Sequence, residues 1–420
     1  METLLAERED KIWDFPTILP RDDSITSKEY IKIYEETHGT GDMSTATEFA
    51  FTTKNEDIWL LPSESYLKVD IEIRRKVADA NDSFAFTAGD TNLCQNAFNI
   101  FKEAKYFIND KKIEEIDYLG IATMINRLIN VTDVSELESI KHNELWLSNA
   151  DRQAHINGTT FNVKLMLPLK KIFTFCDNIN HVFRGVKHRI VLKLNDSNSL
   201  LNKAVGKPDG TVTVSKMVWH IPKVEPSLTT MAKLETQLAS NSSYSLSWPA
   251  ISVYRIHGNK QSQIRESLSS HIHKPEHVFI MCQKAARTKN QSNMDMVFDD
   301  MTVKSCQVEV NGTKFPESPI EADFTAATLD VRDIHDRFLQ ICKNNKSTID
   351  MNEFKNRYPI WHIDVSKHKP ELYDNTNYPE IVVNMEFKTV PTEDYYLWIV
   401  IVNARTAVLN LDQKKMRVID

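Results

Sequence analysis

The chain has 420 residues and a net charge of −7. That length is too great for one hydrophobic core and suits two domains of ~200 residues each. Only 10 glycines argue against a Gly-rich phosphate-binding enzyme, and an acidic balance with no long Lys or Arg run argues against direct binding of nucleic acid. The five cysteines, Cys94, Cys176, Cys282, Cys306 and Cys342, are far apart and include no C-x-x-C pair. They point to reduced thiols, not to a zinc site or a disulfide framework. METLLAERED lacks the apolar centre of a signal peptide, and no apolar run approaches the ~18–20 residues that span a bilayer.

In chain order, residues 1–43 read as an N-terminal arm whose first ten residues are polar and either mobile or folded on a neighbour. Ser44–Thr53 reads as a strand, and Ile58–Leu61 is a short apolar run ending at Pro62. Tyr66–Arg75 alternates cleanly, with Leu67, Val69, Ile71 and Ile73 on one face and charges on the other, so one face is buried and one wet. Gln95–Ile108 is read mostly as strand because it feeds Asn109-Asp110, a turn that returns over Lys111–Ile116. Asp117–Ile129 has helical spacing at Leu119, Ala122, Ile125 and Leu128, and a second helical piece is expected over Ser135–Trp146. Phe161–Pro168 reads as a strand and Leu169–Asn178 as a helical turn. Two further strands, Val186–Leu194 and Val212–Ile221, are joined through the turn sequence Lys207–Gly210.

Pro226–Ala239 reads as a linker helix, and the expected division is 44–225, linker 226–243, then 244–420. Ser245–Ile256 is strand material in which Pro249 marks an edge or bulge. Gln263–His271 is mixed, and Glu276–Lys284 is a strong strand. Thr302–Asn311 runs into Asn311-Gly312, the strongest short hairpin signal in the chain, with a return over Thr313–Phe315 that stops on Pro316 and Pro319. Asp323–Lys343 is read as a helix of about five turns. Tyr358–Val365, Ile381–Phe387 and Tyr395–Leu409 close the chain as strands.

Each half therefore holds seven or eight strands with one substantial helix in the same relative place, and a turn led by Asn in each. The fold class is all-β: two eight-stranded antiparallel sandwiches in tandem, each a jelly roll with an inserted helix. The ordered segments QNAFNIFKEAKYFINDKKI, VKHRIVLKLNDSNSLL, VTVSKMVWHIPKVEPSL, MTVKSCQVEVNGTKFPESPIEADF, EFKNRYPIWHIDVS and VVNMEFKTVPTEDYYLWIVIVNARTAVLNLD resemble the double jelly-roll, hexon-like major capsid proteins of the Polinton/Maverick and adintovirus group. That resemblance implies a non-enzymatic virion protein, without cofactor. It also implies a homotrimer that tiles a facet with neighbouring capsomers and meets a penton or minor capsid protein. A same-fold scaffold or domesticated transposon protein, and a two-domain glycan-binding module, are the other readings.

Each residue group that could carry chemistry also has a plainer structural role. His271, His273 and His277 form the only histidine cluster and are metal-ligand candidates, against a polar loop leading into a strand. Cys282 beside them is a nucleophile candidate, against a buried thiol in a strand. Asp295, Asp299 and Asp300 are set against a solvated loop. Tyr395, Tyr396 and Trp398, which could stack on a glycan or base, are set against core. Arg74-Arg75-Lys76 reads as a solvated strand end. Asn109, Asp110, Asn311 and Gly312 are expected to be structural turns.

Overall fold

A computed structural model describes residues 24–36, 41–42, 47–75, 91–131, 144–145, 161–240, 243–268, 272, 274–289, 291, 296–324, 331–366, 378–410 and 415–419, except 95, 204–205 and 208. Sixteen of the described strands build two sandwiches of eight. In the first, the strands are β1 (Ile25–Tyr34), β2 (Glu48–Thr52), β3 (Tyr66–Arg75), β4 (Phe101–Ile108), β5 (Lys111–Asp117), β6 (Phe161–Pro168), β7 (His188–Leu194) and β8 (Gly210–Pro226). They form two antiparallel sheets of order β1-β8-β3-β6 and β2-β7-β4-β5. In the second sandwich, the strands are β9 (Ser243–His257), β10 (Gln263–Leu268), β11 (Pro275–Lys284), β12 (Val303–Val310), β13 (Thr313–Glu321), β14 (Trp361–Asp364), β15 (Ile381–Phe387) and β16 (Tyr395–Asn410). Their sheets have the order β9-β16-β11-β14 and β10-β15-β12-β13. Adding eight to each number of the first half gives the second: one jelly-roll topology, used twice.

The cores follow from period-two patterning. Leu67, Val69, Ile71 and Ile73 are fully buried and face Phe49 and Phe51 of the opposing sheet within one apolar cluster. Each such side chain removed from water contributes roughly 1.5–3 kcal/mol. Where the alternation skips, a bulge explains it. β8 carries one extra residue between Val214 and Lys216, so Val212 and Val214 point inward and then Met217, Trp219 and Ile221 do. β12 does the same between Val303 and Ser305, which is why Val303 and Cys306 both reach the core despite odd spacing.

Helices sit at three joints, two of them equivalent in the two halves. Helix α1 (Leu119–Asn130) follows β5, helix α2 (Leu228–Ser240) follows β8, and helices α3 (Arg332–Ile341) and α4 (Met351–Arg357) lie between β13 and β14. The helix read over Asp323–Lys343 is therefore shorter: Ala322 to Phe324 are non-helical, α3 starts at Arg332, and α4, capped by the Asp350 side chain on Glu353 N, was not foreseen. The piece expected over Ser135–Trp146 lies outside the described residues except for a turn at 144–145.

Three strand expectations also change. Within the stretch read as an arm, β1 is a full strand: only Ile31 and Ile33 pack inward, too few for alternation to stand out. β13 does not stop at its prolines but continues to Glu321, because it is an edge strand whose free side needs no N–H, with a pairing shift between Cys306 and Val308. Val186–Leu194 and Val212–Ile221 are not hairpin partners, since β7 and β8 lie in different sheets. Pro249 sits on β9, an edge strand of its sheet.

The two hairpins share one device. Asn109 and Asp110 have φ of 49° and 62°; Asn311 and Gly312 have 48° and 78°. Both turns have two positive φ values, the geometry that matches strand twist. Each Asn also clamps the residue just before the neighbouring strand. Asn109 N–H donates to Lys187 O at 2.9 Å while Lys187 N–H donates to Asn109 Oδ1 at 2.6 Å. Asn311 N–H donates to Glu380 O at 2.9 Å and Glu380 N–H donates to Asn311 Oδ1 at 2.9 Å. Asn311→Ala and Asn109→Ala are each expected to lower unfolding free energy by ~1–2 kcal/mol, from the lost bond and the left-handed φ. Asn311→Gly should lose only the side-chain share. Urea midpoints at constant m-value measure this, and an unchanged midpoint for Asn311→Ala would remove the clamp's importance.

Candidate functional site

Among the described residues, specific contacts of several kinds meet at the seam between the sandwiches. At its centre Glu114 of β5 is buried and accepts three bonds: from Thr174 N (3.1 Å), Thr174 Oγ1 (2.5 Å) and Phe175 N (3.0 Å). These hold the short helix Thr174–Asn178 in place. The Phe175 ring then meets Trp248 of β9 edge-on, with centroids 5.1 Å apart. Burial raises the Glu114 carboxyl above its ordinary pKa, while its bonds to Thr174 and Phe175 and the charge of Arg405, on β16, pull it back.

Two further clasps flank that centre. Arg255 of β9 lies over Tyr118 at 4.9 Å and over Tyr396 at 4.7 Å, and Tyr118 meets Trp398 edge-on at 5.0 Å. Arg255 is exposed, so its place on these aromatic faces contributes roughly 0.5–1 kcal/mol. Gln291 of the second half pairs reciprocally with the backbone of Gly210, at 2.7 Å in both directions, and its carbonyl accepts from Lys203 N at 2.5 Å. Beside α2, a cleft of ≈ 350 Å³ is lined by residues of both halves, among them Trp59, Phe183, Leu234 and Leu246. The seam fixes the angle between the two sandwiches; its groups are donors, acceptors and rings locked on one another.

The sequence-predicted chemistry is dispersed or structural. His271 and His273 lie outside the described residues. His277 on β11 meets His362 on β14, with Nδ1 3.2 Å from His362 Nε2, and His362 Nδ1 lies 3.0 Å from Arg337 O. Burial holds His277 below the usual imidazole range and lowers His362 to about 4. Among the described residues no group of three or more His, Cys, Asp or Glu could hold a metal ion. Cys282 is buried, and burial pushes its thiol well up, opposite to the shift a nucleophile needs. Asp299 is bound by Arg287 at 2.8 Å through both oxygens and by Lys284 N, while Asp300 accepts from Thr302 N; Asp295 lies outside the described residues. Tyr395 and Trp398 are buried, with Trp398 Nε1 donating to Gln283 Oε1 at 2.9 Å, and Tyr396 lies under Arg255. Arg74 pairs with Glu72 on the wet face of β3. The seam residues Glu114, Thr174, Trp248 and Arg255 were not singled out from sequence.

Two sandwiches of one strand order, each with its clamped Asn turn, define a double jelly-roll protein. The chain belongs to the double jelly roll-like domain family, whose profile matches residues 91–402. No curated protein matches at a significant level. Among solved structures, VP54 of PBCV-1, as fitted into a reconstruction of the virophage Sputnik, is similar at TM-score 0.61 with 9% identity, over 97% of this chain and 99% of that one. The Faustovirus major capsid protein is similar at TM-score 0.58 with 10% identity, over 96% and 94%. The mavirus major capsid protein is similar at TM-score 0.53 with 12% identity, over 97% and 94%. At such identities the likeness is one of fold.

Proposed function

We propose that the chain is a structural protein, a major capsid subunit that forms a homotrimer and tiles an icosahedral shell with neighbouring trimers. The observation that carries this is the duplication: one strand order used twice, held at a set angle by the seam. Three copies of such a chain present six similar sandwiches around one axis, a pseudo-hexagonal tile that closed symmetry favours. That the similar solved structures are major capsid proteins supports the same reading. The resemblance of segments along the chain supports the Polinton/Maverick and adintovirus group, a place in the virion and a penton partner. The division into 44–225, a linker at 226–243 and 244–420 belongs to this proposal, with β1 added to the first unit. Light scattering of the purified protein should give a mass of three chains, and negative-stain images should show hexagonal tiles or shells. A monomer that never assembles, alone or with other viral proteins, would count against it, and absence from purified particles would favour a domesticated or scaffold role.

A further inference from the structure

The outer face of the sheet β1-β8-β3-β6 carries tyrosines in a cationic field. Tyr30 and Tyr34 are 46% and 61% exposed. Tyr30 lies 5.3 Å from Tyr66, which stacks on His220 at 4.9 Å with 8° between the rings. Register carries the patch across the sheet: Tyr34 is opposite Val218, Val218 opposite Lys68, and Lys68 opposite Met166, itself 38% exposed. One row over, Lys32 is opposite His220. Burial, then the charges of Lys68 and Lys32, hold His220 below its ordinary pKa. In the next row Lys216 and Lys164 flank Asp70. These rows hold more cations than carboxylates, on a chain whose net charge is −7.

We propose that this face seats the chain's own N-terminal segment, residues 1–23. That segment directly precedes β1 and holds seven carboxylates against the cations Arg8, Lys11 and Arg21. It also offers Trp13, Phe15, Ile18 and Leu19 to pack on the tyrosines. Twenty-three extended residues reach roughly 75 Å, more than twice the length of β1, so the segment can fold back along the strand it precedes. A phosphate polymer would also suit the lysines. The tethered segment, however, is present at an effective concentration on the order of millimolar and occupies the face first.

Limited trypsin digestion of the full chain tests this, following release of peptides cut at Arg8, Lys11 and Arg21 by mass. Tyr34→Glu and Lys68→Glu should each speed that release about tenfold, which corresponds to ~1.4 kcal/mol of docking energy. Raised salt should speed it in the wild type. Both side chains point outward, so unchanged melting confirms an intact fold, and either variant alone decides the matter if the other fails to fold. Equal release in wild type and variants overturns the proposal. So does protection lost on dilution, which would place a second copy's segment there, or a single-stranded oligonucleotide that binds wild type but not Tyr34→Glu.

Discussion

Glu114→Ala is expected to destabilise the chain by ~3–5 kcal/mol and to loosen one sandwich against the other. Among the described residues the carboxylate is the acceptor for Thr174 N, Thr174 Oγ1 and Phe175 N, all within 3.1 Å. Alanine strands those donors in a buried site, at ~1–3 kcal/mol for each one left unsatisfied, partly relieved by relaxation, and leaves a cavity besides. Glu114→Gln keeps the volume but turns an NH2 toward donors, so a loss of ~1–2 kcal/mol is expected. The effect should propagate, because Phe175 is the surface on which Trp248 of the second sandwich rests. Hydrogen exchange over residues 169–178 should rise in Glu114→Ala before the strands of either sheet open. A loss under 0.5 kcal/mol, with no change in exchange there, would mean that the seam does not depend on this carboxylate.

Much of the fold was legible because its strands obey period two. Tyr66–Arg75 was read at its observed bounds from the pattern of Leu67, Val69, Ile71 and Ile73. The Asn turns were legible because few residues tolerate two positive φ values in succession. What could not be read depends on contacts remote in sequence. The prolines at 316 and 319 look like stops unless β13 is known to be an edge. β1 hides because its outward residues include Tyr30 and Tyr34, which mimic an inward pattern. Glu114 left a faint signal. Ile113 and Ile116 are three apart within a strand, which period two forbids without a bulge. The register shift between Tyr106 and Phe107 supplies it, turning Glu114 inward beside Ile113. Arg255 left none, since its partners Tyr118 and Tyr396 come from opposite halves of the chain.

Mild acid is expected to destabilise the chain steeply, through two histidines buried in the neutral form. His188 is fully buried, shares a 2.8 Å bond between its Nδ1 and Tyr106 Oη, and has no partner for Nε2 among the described residues. Burial lowers its pKa to about 3, and burial also lowers that of His362 to about 4. Both folded values lie below the unfolded one near 6.5, so the unfolded chain binds the extra protons. Their stability is therefore complete above pH ~6.5 and is lost as pH falls toward 4 and then 3. Within that window each contributes a slope of up to ~1.4 kcal/mol per pH unit, positive with rising pH. Glu114 and Glu144, whose carboxyls are raised chiefly by burial, act in the opposite sense, binding protons more readily when folded. Their contribution is common to wild type and a histidine variant, so the difference isolates the imidazole. His188→Phe should be less stable at pH 7.5, because Tyr106 loses its partner. Near pH 5 its unfolding free energy should nonetheless change less with pH than that of the wild type, by about one proton, or ~1.4 kcal/mol per unit. Urea titrations from pH 7.5 to 4.5 measure both slopes, and parallel slopes in the two proteins would show that His188 takes up no proton on unfolding.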